Sequence, residues 1–286
     1  MANLKEIRNR ITSVSSTMQI TSAMKMVSAA KLKKAQSAIT QMRPYSNKLS
    51  ELLQSLSGTL SVDSGGVYAD QREVSNVLFV VITSNRGLCG AFNSQAIKKA
   101  LQYIEENYSD KNVSFLTIGK KGNDFLSRTY KITQNQSAIY EDLTFENSAK
   151  IASFLMESFE SKTYDKIHLA YNIFKNAANQ IPTIEQFLPI IPIEGDVNSN
   201  LDYIFEPSKN EIVLELIPKS LKMQLYKAIR DSFAAEHGAR MTAMHKATDN
   251  ANDLKNELKL NYNKARQAAI TNEILEIVGG AEALKG

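Results

Sequence analysis

Two helical patterns, one at each end of this 286-residue chain, are each too long for a compact domain to contain. At the N-terminus, apolar residues fall at Leu4, Ile7, Ile11, Val14 and Met18, in alternating steps of three and four. The register resumes at Leu32, Ala35, Ile39, Met42, Leu49, Leu53, Leu56 and Leu60, which makes a heptad seam. Between the two runs it holds Thr21, Lys25 and Ser28, with Met24 and Val27 one step off, so the seam drifts there as a stutter would make it. Pro44 should kink the helix or be absorbed by a bend, and Gly58 and Gly65-Gly66 should end it. A helix over 1–60 would be roughly 80 Å long. At the C-terminus, Ser208 and Glu211 form a capping box behind Pro207, and helical pattern runs to Val278, where Gly279-Gly280 should stop it. Pro218 and Gly238 interrupt that pattern. Its distal seam is Met244, Ala247, Ala251, Leu254, Leu258, Ala265, Ala268 and Leu275, rich in alanine and suited to close helix approach. If continuous, it is about 100 Å long. Two over-long helices with exposed seams have one economical solution, an antiparallel coiled coil.

Between them, residues 70–207 alternate strands with helices, the mark of a Rossmann-like α/β domain with a parallel sheet. Strands are expected at 77–83, 113–118 and 167–171, with weaker ones at 130–133 and 183–192. Helices are expected at 94–106, 120–126 and 147–159. The fold class is therefore α/β: a coiled coil of residues 1–60 and 208–286 with this domain inserted. After the first strand comes "TSNRGLCGAFNSQ", Thr83 to Gln95, a glycine-bearing loop before a helix, where α/β proteins hold phosphates. It does not fit any such motif. Gly87 and Gly90 lack the spacing and the Lys-Ser of a P-loop, a third glycine for a dinucleotide fingerprint is absent, and Gly-Leu-Cys-Gly is not a nucleophile elbow. Cys89 has no histidine nearby in sequence. A tight βα turn around a buried thiol is the plain reading.

Composition narrows the partners. Hydrophobic residues make up 43% and charged residues 22%, enough for a core. The longest apolar run is about six residues against the ~20 that span a bilayer. "MANLKEIRNRI" shows neither a signal segment nor a transit pattern, so a soluble chain that stays where it is made is expected. The single cysteine excludes an internal disulfide and a CxxC metal pair. His168, His237 and His245 are too far apart in sequence to suggest a metal site. The net charge of +4 hides an asymmetry: residues 1–50 carry Lys5, Arg8, Arg10, Lys25, Lys31, Lys33, Lys34, Arg43 and Lys48 against Glu6 alone. Such a segment implies an acidic partner. A nucleic-acid-binding coiled coil would explain the basic helix but not the Ala-rich return helix, and aromatics do not interleave with the lysines. A Rossmann-like enzyme would explain the middle but lacks its fingerprint, and no catalytic constellation is found.

The residues do resemble a known family. "ITNEILEIVGGAEA" is similar to the C-terminal signature of the γ subunit of bacterial-type F-type ATP synthases, matching at Ile270, Thr271, Glu273, Glu276, Gly280 and Ala281. "HGARMTAMHKATDNA", "ITSAMKMVSAAKLKKAQ" and "SNRGLCGAFN" look like the same family, in order along the whole chain. The resemblance implies a central rotor stalk without a catalytic site, cofactor, metal, nucleic acid or small-molecule substrate of its own. It implies partners in the α and β subunits of the catalytic hexamer, the ε subunit and the membrane c-subunit ring. It also implies a peripheral position on the cytoplasmic face of the bacterial inner membrane. Met24 and Lys25 match positions facing an acidic lever on β, and Arg266 and Gln267 match residues that hydrogen-bond a catch loop on β. Ile274, Leu275, Ile277 and Val278 would form an apolar bearing tip. Chloroplast relatives carry a redox cysteine pair, and one cysteine argues against that control here.

Overall fold

The computed structural model describes residues 4–57, 67–190 and 209–283. Its chain order is α1 (Leu4–Ser57), β1 (Asn76–Ile82), α2 (Phe92–Asn107), β2 (Asn112–Ile118), α3 (Lys120–Leu126), β3 (Lys131–Asn135), α4 (Phe145–Glu160), β4 (Lys166–Phe174), β5 (Gln180–Leu188) and α5 (Lys209–Ala283). Short 3-10 turns stand at Val67–Ala69 and Ser137–Tyr140. The chain divides into two compact units, Ala29–Arg240 and Met1–Ser28 with Met241–Gly286.

The larger unit is built on a five-stranded sheet in the order β3-β2-β1-β4-β5. Strands β1 to β4 pair in parallel. The expected all-parallel sheet is corrected at its edge, where β5 runs antiparallel to β4. The cause is local. Only Lys175–Asn179 connect the two strands, too few residues for a crossover. Asn176 closes this turn, its Oδ1 accepting from the amides of Ala178 and Asn179 at 2.9 and 2.7 Å.

The central strand NVLFVVI is apolar from Val77 to Ile82 because helices cover both faces of the sheet. On one side Val77, Phe79, Val81 and Phe115 pack with Ile97, Ala100 and Ile104 of α2 and Leu126 of α3. On the other, Leu78, Val80, Ile82 and Leu116 pack with Ile151, Leu155 and Phe159 of α4 and with Ile217, Leu221, Leu225 and Ile229 of α5. Helix α4 starts at Thr144, whose side chain accepts from the Asn147 amide at 3.3 Å. Helix α1 enters this unit through Leu32, Ala35, Ile39, Met42 and Leu49, all buried, and Met42 and Leu49 cluster with Met223 of α5.

Three helix-breaking signals did not act as the sequence suggests. Pro218 does not interrupt α5, whose neighbouring residues Ile217 and Leu221 are buried in the sheet core and anchor it there. Gly238 does not interrupt it either. A Cβ there would lie 3.2 Å from Ala177 Cα and 3.2 Å from the Phe174 ring, so glycine lets the helix approach the β4–β5 turn. Gly279-Gly280 does not stop α5, which continues to Ala283. Both glycines face open space, and their cost of about 1 kcal/mol each weakens a helix without blocking it. The expected capping residue Ser208 lies outside the described residues, as do Gly58, Leu60, Gly65 and Gly66.

In the smaller unit the first part of α1 runs antiparallel to the distal part of α5. Lys25 meets His245 at 3.3 Å, Thr21 meets Thr248 at 2.8 Å and Arg8 meets Tyr262 at 2.8 Å, so the α5 number rises as the α1 number falls. The expected stutter does not occur. Thr21 and Ser28 keep the register and are buried, while Val27 is exposed. Thr21 accepts the Thr248 hydroxyl, and Ser28 donates to the Met24 carbonyl, so neither buries an unpaired hydroxyl. On α5 the positions seven apart, Met244, Ala251, Leu258 and Ala265, turn inward as expected. Leu254 and Ala268 do not. Thr248, Lys255 and Tyr262 take the inward places between them, where Thr248 and Tyr262 bond across to α1. Leu275 is 63% exposed.

Two buried histidines make the larger unit acid-sensitive. Burial, with Arg240 and Lys31 adding to it, lowers His237 to about 3, and burial with Lys166 lowers His168 to about 4. The unfolded chain titrates its histidines near ~6.5 and takes up protons first as pH falls. Stability is therefore full above that value and declines on the way down to the folded values. At pH 5 each histidine should remove about 2 kcal/mol relative to pH 8. Urea denaturation of the full chain at a series of pH values should show this slope, and His237→Phe should flatten it by about one histidine's share. The glycines supply a second expectation. Gly279→Ala should raise helical stability by about 0.5–1 kcal/mol, while at Gly238 the same change should lose that gain to the 3.2 Å contacts. Thermal unfolding followed by circular dichroism of the two variants separates these outcomes.

Candidate functional site

The natural place to look for a ligand in this fold is the crevice at the C-terminal ends of β1 and β4, where the strand order reverses. The glycine loop lies there, and its side chains are turned on itself. The Ser84 amide donates to Asn93 Oδ1 at 2.9 Å, and Asn93 Nδ2 donates to Ser84 Oγ at 2.8 Å and to the Cys89 sulfur at 3.3 Å. The Phe92 amide, at the start of α2, bonds to the Cys89 carbonyl at 3.3 Å. Leu88 and Gly90 take left-handed conformations, with φ of 63° and 59°, to close the turn. Across the crevice, Asn172 on β4 donates to the Phe92 carbonyl at 3.0 Å. Cys89 is 1% exposed and packs with Phe92, Ala235 and Ala239, so the thiol is buried as the plain reading of the motif holds.

The crevice is then filled by the chain's own α5. The Arg240 guanidinium donates to the carbonyls of Arg86 and Gly87 at 2.9 and 3.3 Å. Its other arm pairs with Glu236 one turn back, and both side chains are only 8% exposed. Burial pushes the Glu236 carboxyl up, and Arg240, Lys31 and Arg86 pull it back. Beside this pair, His237 is buried with its ring edge-on to Phe233 at 4.5 Å. Phe233 in turn stacks on Tyr140, whose hydroxyl donates to the Thr83 carbonyl at 2.8 Å. Behind the loop, Gly119 lies so close that a Cβ would sit 2.1 Å from the Thr83 carbonyl oxygen. Two sequence motifs that lie far apart in the chain, 83–93 and 237–240, are thus one structural joint. The sequence marked Arg240 only as part of the family-like stretch HGARMTAMHKATDNA and did not show its contact, which spans 154 residues. Among the described residues no group of three His, Cys, Asp or Glu side chains is placed to hold a metal ion.

The residues singled out in the sequence lie elsewhere, in the smaller unit. Met24 and Lys25 are half-buried on α1, and Lys25 is directed at His245 of α5. Arg266 and Gln267 are exposed, and the Gln267 carbonyl accepts from Thr271 at 3.0 Å. The signature residues Ile270, Thr271, Glu273, Glu276, Gly280 and Ala281 are all exposed, as are Ile274, Leu275, Ile277 and Val278. The structure leaves these positions on the surface of α5 and does not gather them into a cleft. Ile20, Met26 and Val27 on α1 are exposed as well; the heptad reading had named Val27 as one step off the seam and had not singled out Ile20 or Met26.

Comparison with known proteins accounts for this arrangement. The family model described as ATP synthase matches residues 3–284. The ATP synthase gamma chain of Flavobacterium johnsoniae is 70% identical over 287 residues, covering 100% of both chains. That of Christiangramia forsetii is 66% identical, again over 100% of both. Among solved structures, the central stalk and c-ring of Tetrahymena thermophila mitochondrial ATP synthase contains a chain that is 25% identical. It matches with a TM-score of 0.59 over 80% of this chain and 99% of that one. The rotor of Euglena gracilis mitochondrial ATP synthase is similar in fold, with a TM-score of 0.64, 20% identity and coverage of 93% and 98%. With the family model spanning nearly the whole sequence and full-length relatives this similar, the chain belongs to the ATP synthase gamma-chain family.

Proposed function

We propose that the chain, as the central stalk of an F-type ATP synthase, transmits torque between a membrane c-subunit ring and the catalytic β subunits and has no catalytic site of its own. The observation that carries this reading is the end of α5. Ile270, Ile274, Leu275, Ile277 and Val278 are between 49% and 66% exposed on the last turns of this helix. Exposed apolar residues in such number mark a surface that another protein covers. Contact of this kind is non-directional, which suits a shaft end that turns inside the sleeve formed by α and β. The crevice filled by Arg240 supports the second half of the proposal, because its guanidinium occupies the carbonyls of Arg86 and Gly87 and the amides of Ser84 and Phe92 are bonded within the chain. The basic residues of α1, together with Met24 and exposed Met26 and Val27, suit an acidic lever on β. Arg266 and Gln267 suit directed bonds to a catch loop on β. The ε subunit and the c-ring would then meet the larger unit. No helix among the described residues is long and apolar enough to cross a membrane, in keeping with a peripheral place at the cytoplasmic face of the inner membrane.

Two outcomes test the proposal. Calorimetry on the isolated chain should give no stoichiometric heat with ATP, and tight binding at one site per chain would overturn the non-catalytic assignment. In the assembled complex, Arg266→Ala with Gln267→Ala should slow ATP hydrolysis about tenfold or more. A charge-assisted hydrogen bond is worth about 1.5–3 kcal/mol, and each 1.4 kcal/mol or so in a barrier is a factor of ten. Truncation after Glu273 should slow it less. Normal turnover in the double variant and none in the truncation would reverse the two roles.

A further inference from the structure

One ring nitrogen of His245 is shared by two groups that it cannot serve together. Its Nδ1 lies 3.3 Å from the Lys25 ammonium of α1 and 3.3 Å from a carboxylate oxygen of Asp249, one turn further along α5. As a lone pair, Nδ1 accepts from Lys25 and offers Asp249 nothing. That is the neutral ring with its proton on Nε2; with both nitrogens protonated, Nδ1 donates to Asp249 and turns an N–H and a positive charge toward Lys25. We propose that His245 is a positioning residue for Lys25. The neutral ring holds the ammonium against α5, and the protonated ring pairs with Asp249 and releases the ammonium outward.

The surroundings favour a side-chain rearrangement over a movement of the helices. The Thr21–Thr248 hydrogen bond, one turn away at 2.8 Å, keeps the register of α1 on α5 in either state. Lys25 from α1 and Asp249 from α5 are the charged groups in contact with the ring, and Lys246, next in the chain, is exposed. Histidine is the side chain whose charge ordinarily changes between about pH 5 and 8, so a pH series is the probe suited to this pair. The consequence for coupling rests on the proposed contact of Lys25 with the acidic lever on β. With Lys25 held by His245 the lever meets a retracted ammonium, and with Lys25 released it meets an available one.

The experiment has two arms. In the isolated chain, nitrogen-15 NMR should show the Lys25 Nζ signal shifting in step with the titration of His245, and His245→Gln should abolish that shift. A Lys25 signal that ignores the titration overturns the inference. In the assembled complex, ATP hydrolysis should be measured from pH 5.5 to 8.5. Wild type should carry a step of about two- to fivefold, the scale of an exposed charge pair, which His245→Gln lacks. His245→Lys should hold the low-pH level throughout. A step retained in His245→Gln also overturns the inference. If Lys25→Gln leaves rate and proton pumping unchanged at every pH while the NMR coupling is present, the contact of Lys25 with β is refuted and the positioning by His245 stands.

Discussion

The larger unit depends on the closing of a parallel sheet by a helix that comes from the far end of the chain. Helix α5 supplies half the cover of one sheet face through Ile217, Leu221, Leu225 and Ile229. It then caps the strand ends through Gly238 and Arg240. Apolar contact holds the first part, and directed bonds to loop carbonyls hold the second. The buried Glu236–Arg240 pair is tolerable because both charges are matched and the guanidinium has further acceptors in Arg86 and Gly87. Removing one member of such a pair leaves an uncompensated buried charge, which is the expensive case.

The smaller unit solves a different problem with a similar economy. A pair of helices in water needs apolar contact, yet this one places threonine, serine and tyrosine at inward positions. Thr21 with Thr248 and Arg8 with Tyr262 make bonds that only one alignment of the two helices allows. Alanine at 251 and 265 lets the backbones approach, and the polar pairs fix the register. Beyond Ala265 the apolar residues Ile270, Ile274, Leu275, Ile277 and Val278 are exposed.

Most of the central architecture was readable because strands covered on both faces are rich in apolar residues, as in the unbroken run Val77–Ile82 and, with Ser114 and Thr117 interrupting, in Asn112–Ile118. The helices between them showed their period for the same reason. The antiparallel course of β5 follows from a five-residue connection once the boundaries of β4 and β5 are known, and those boundaries were the weak point of the reading. The seam of α5 was half legible. Its sevenfold positions are apolar and evident, but Thr248 and Tyr262 turn inward because of partners on α1, and such pair information is not contained in one helix alone. Gly238 read as a flaw in a helix because its reason lies in Ala177 and Phe174. The contact of Arg240 was hidden for the same cause. The exposed end of α5 was legible only as apolar residues on a helix, and its place was suggested by resemblance.

The late position of α5 in the chain has a consequence for synthesis. By the time Leu188 is made, all five strands and helices α2 to α4 exist, yet the sheet face of Leu78, Val80, Ile82 and Leu116 is only partly covered. Residues 217–229 must emerge before that face is closed, and Arg240 before the glycine loop is fastened. The first helix waits longer still, since Arg8 has no partner until Tyr262 is made. The earliest segment of this chain is therefore among the last to find its place, and the nascent protein carries a partly covered apolar sheet face and an unpaired helix through much of its translation. Surfaces of that kind are what chaperones recognise and what drives premature association.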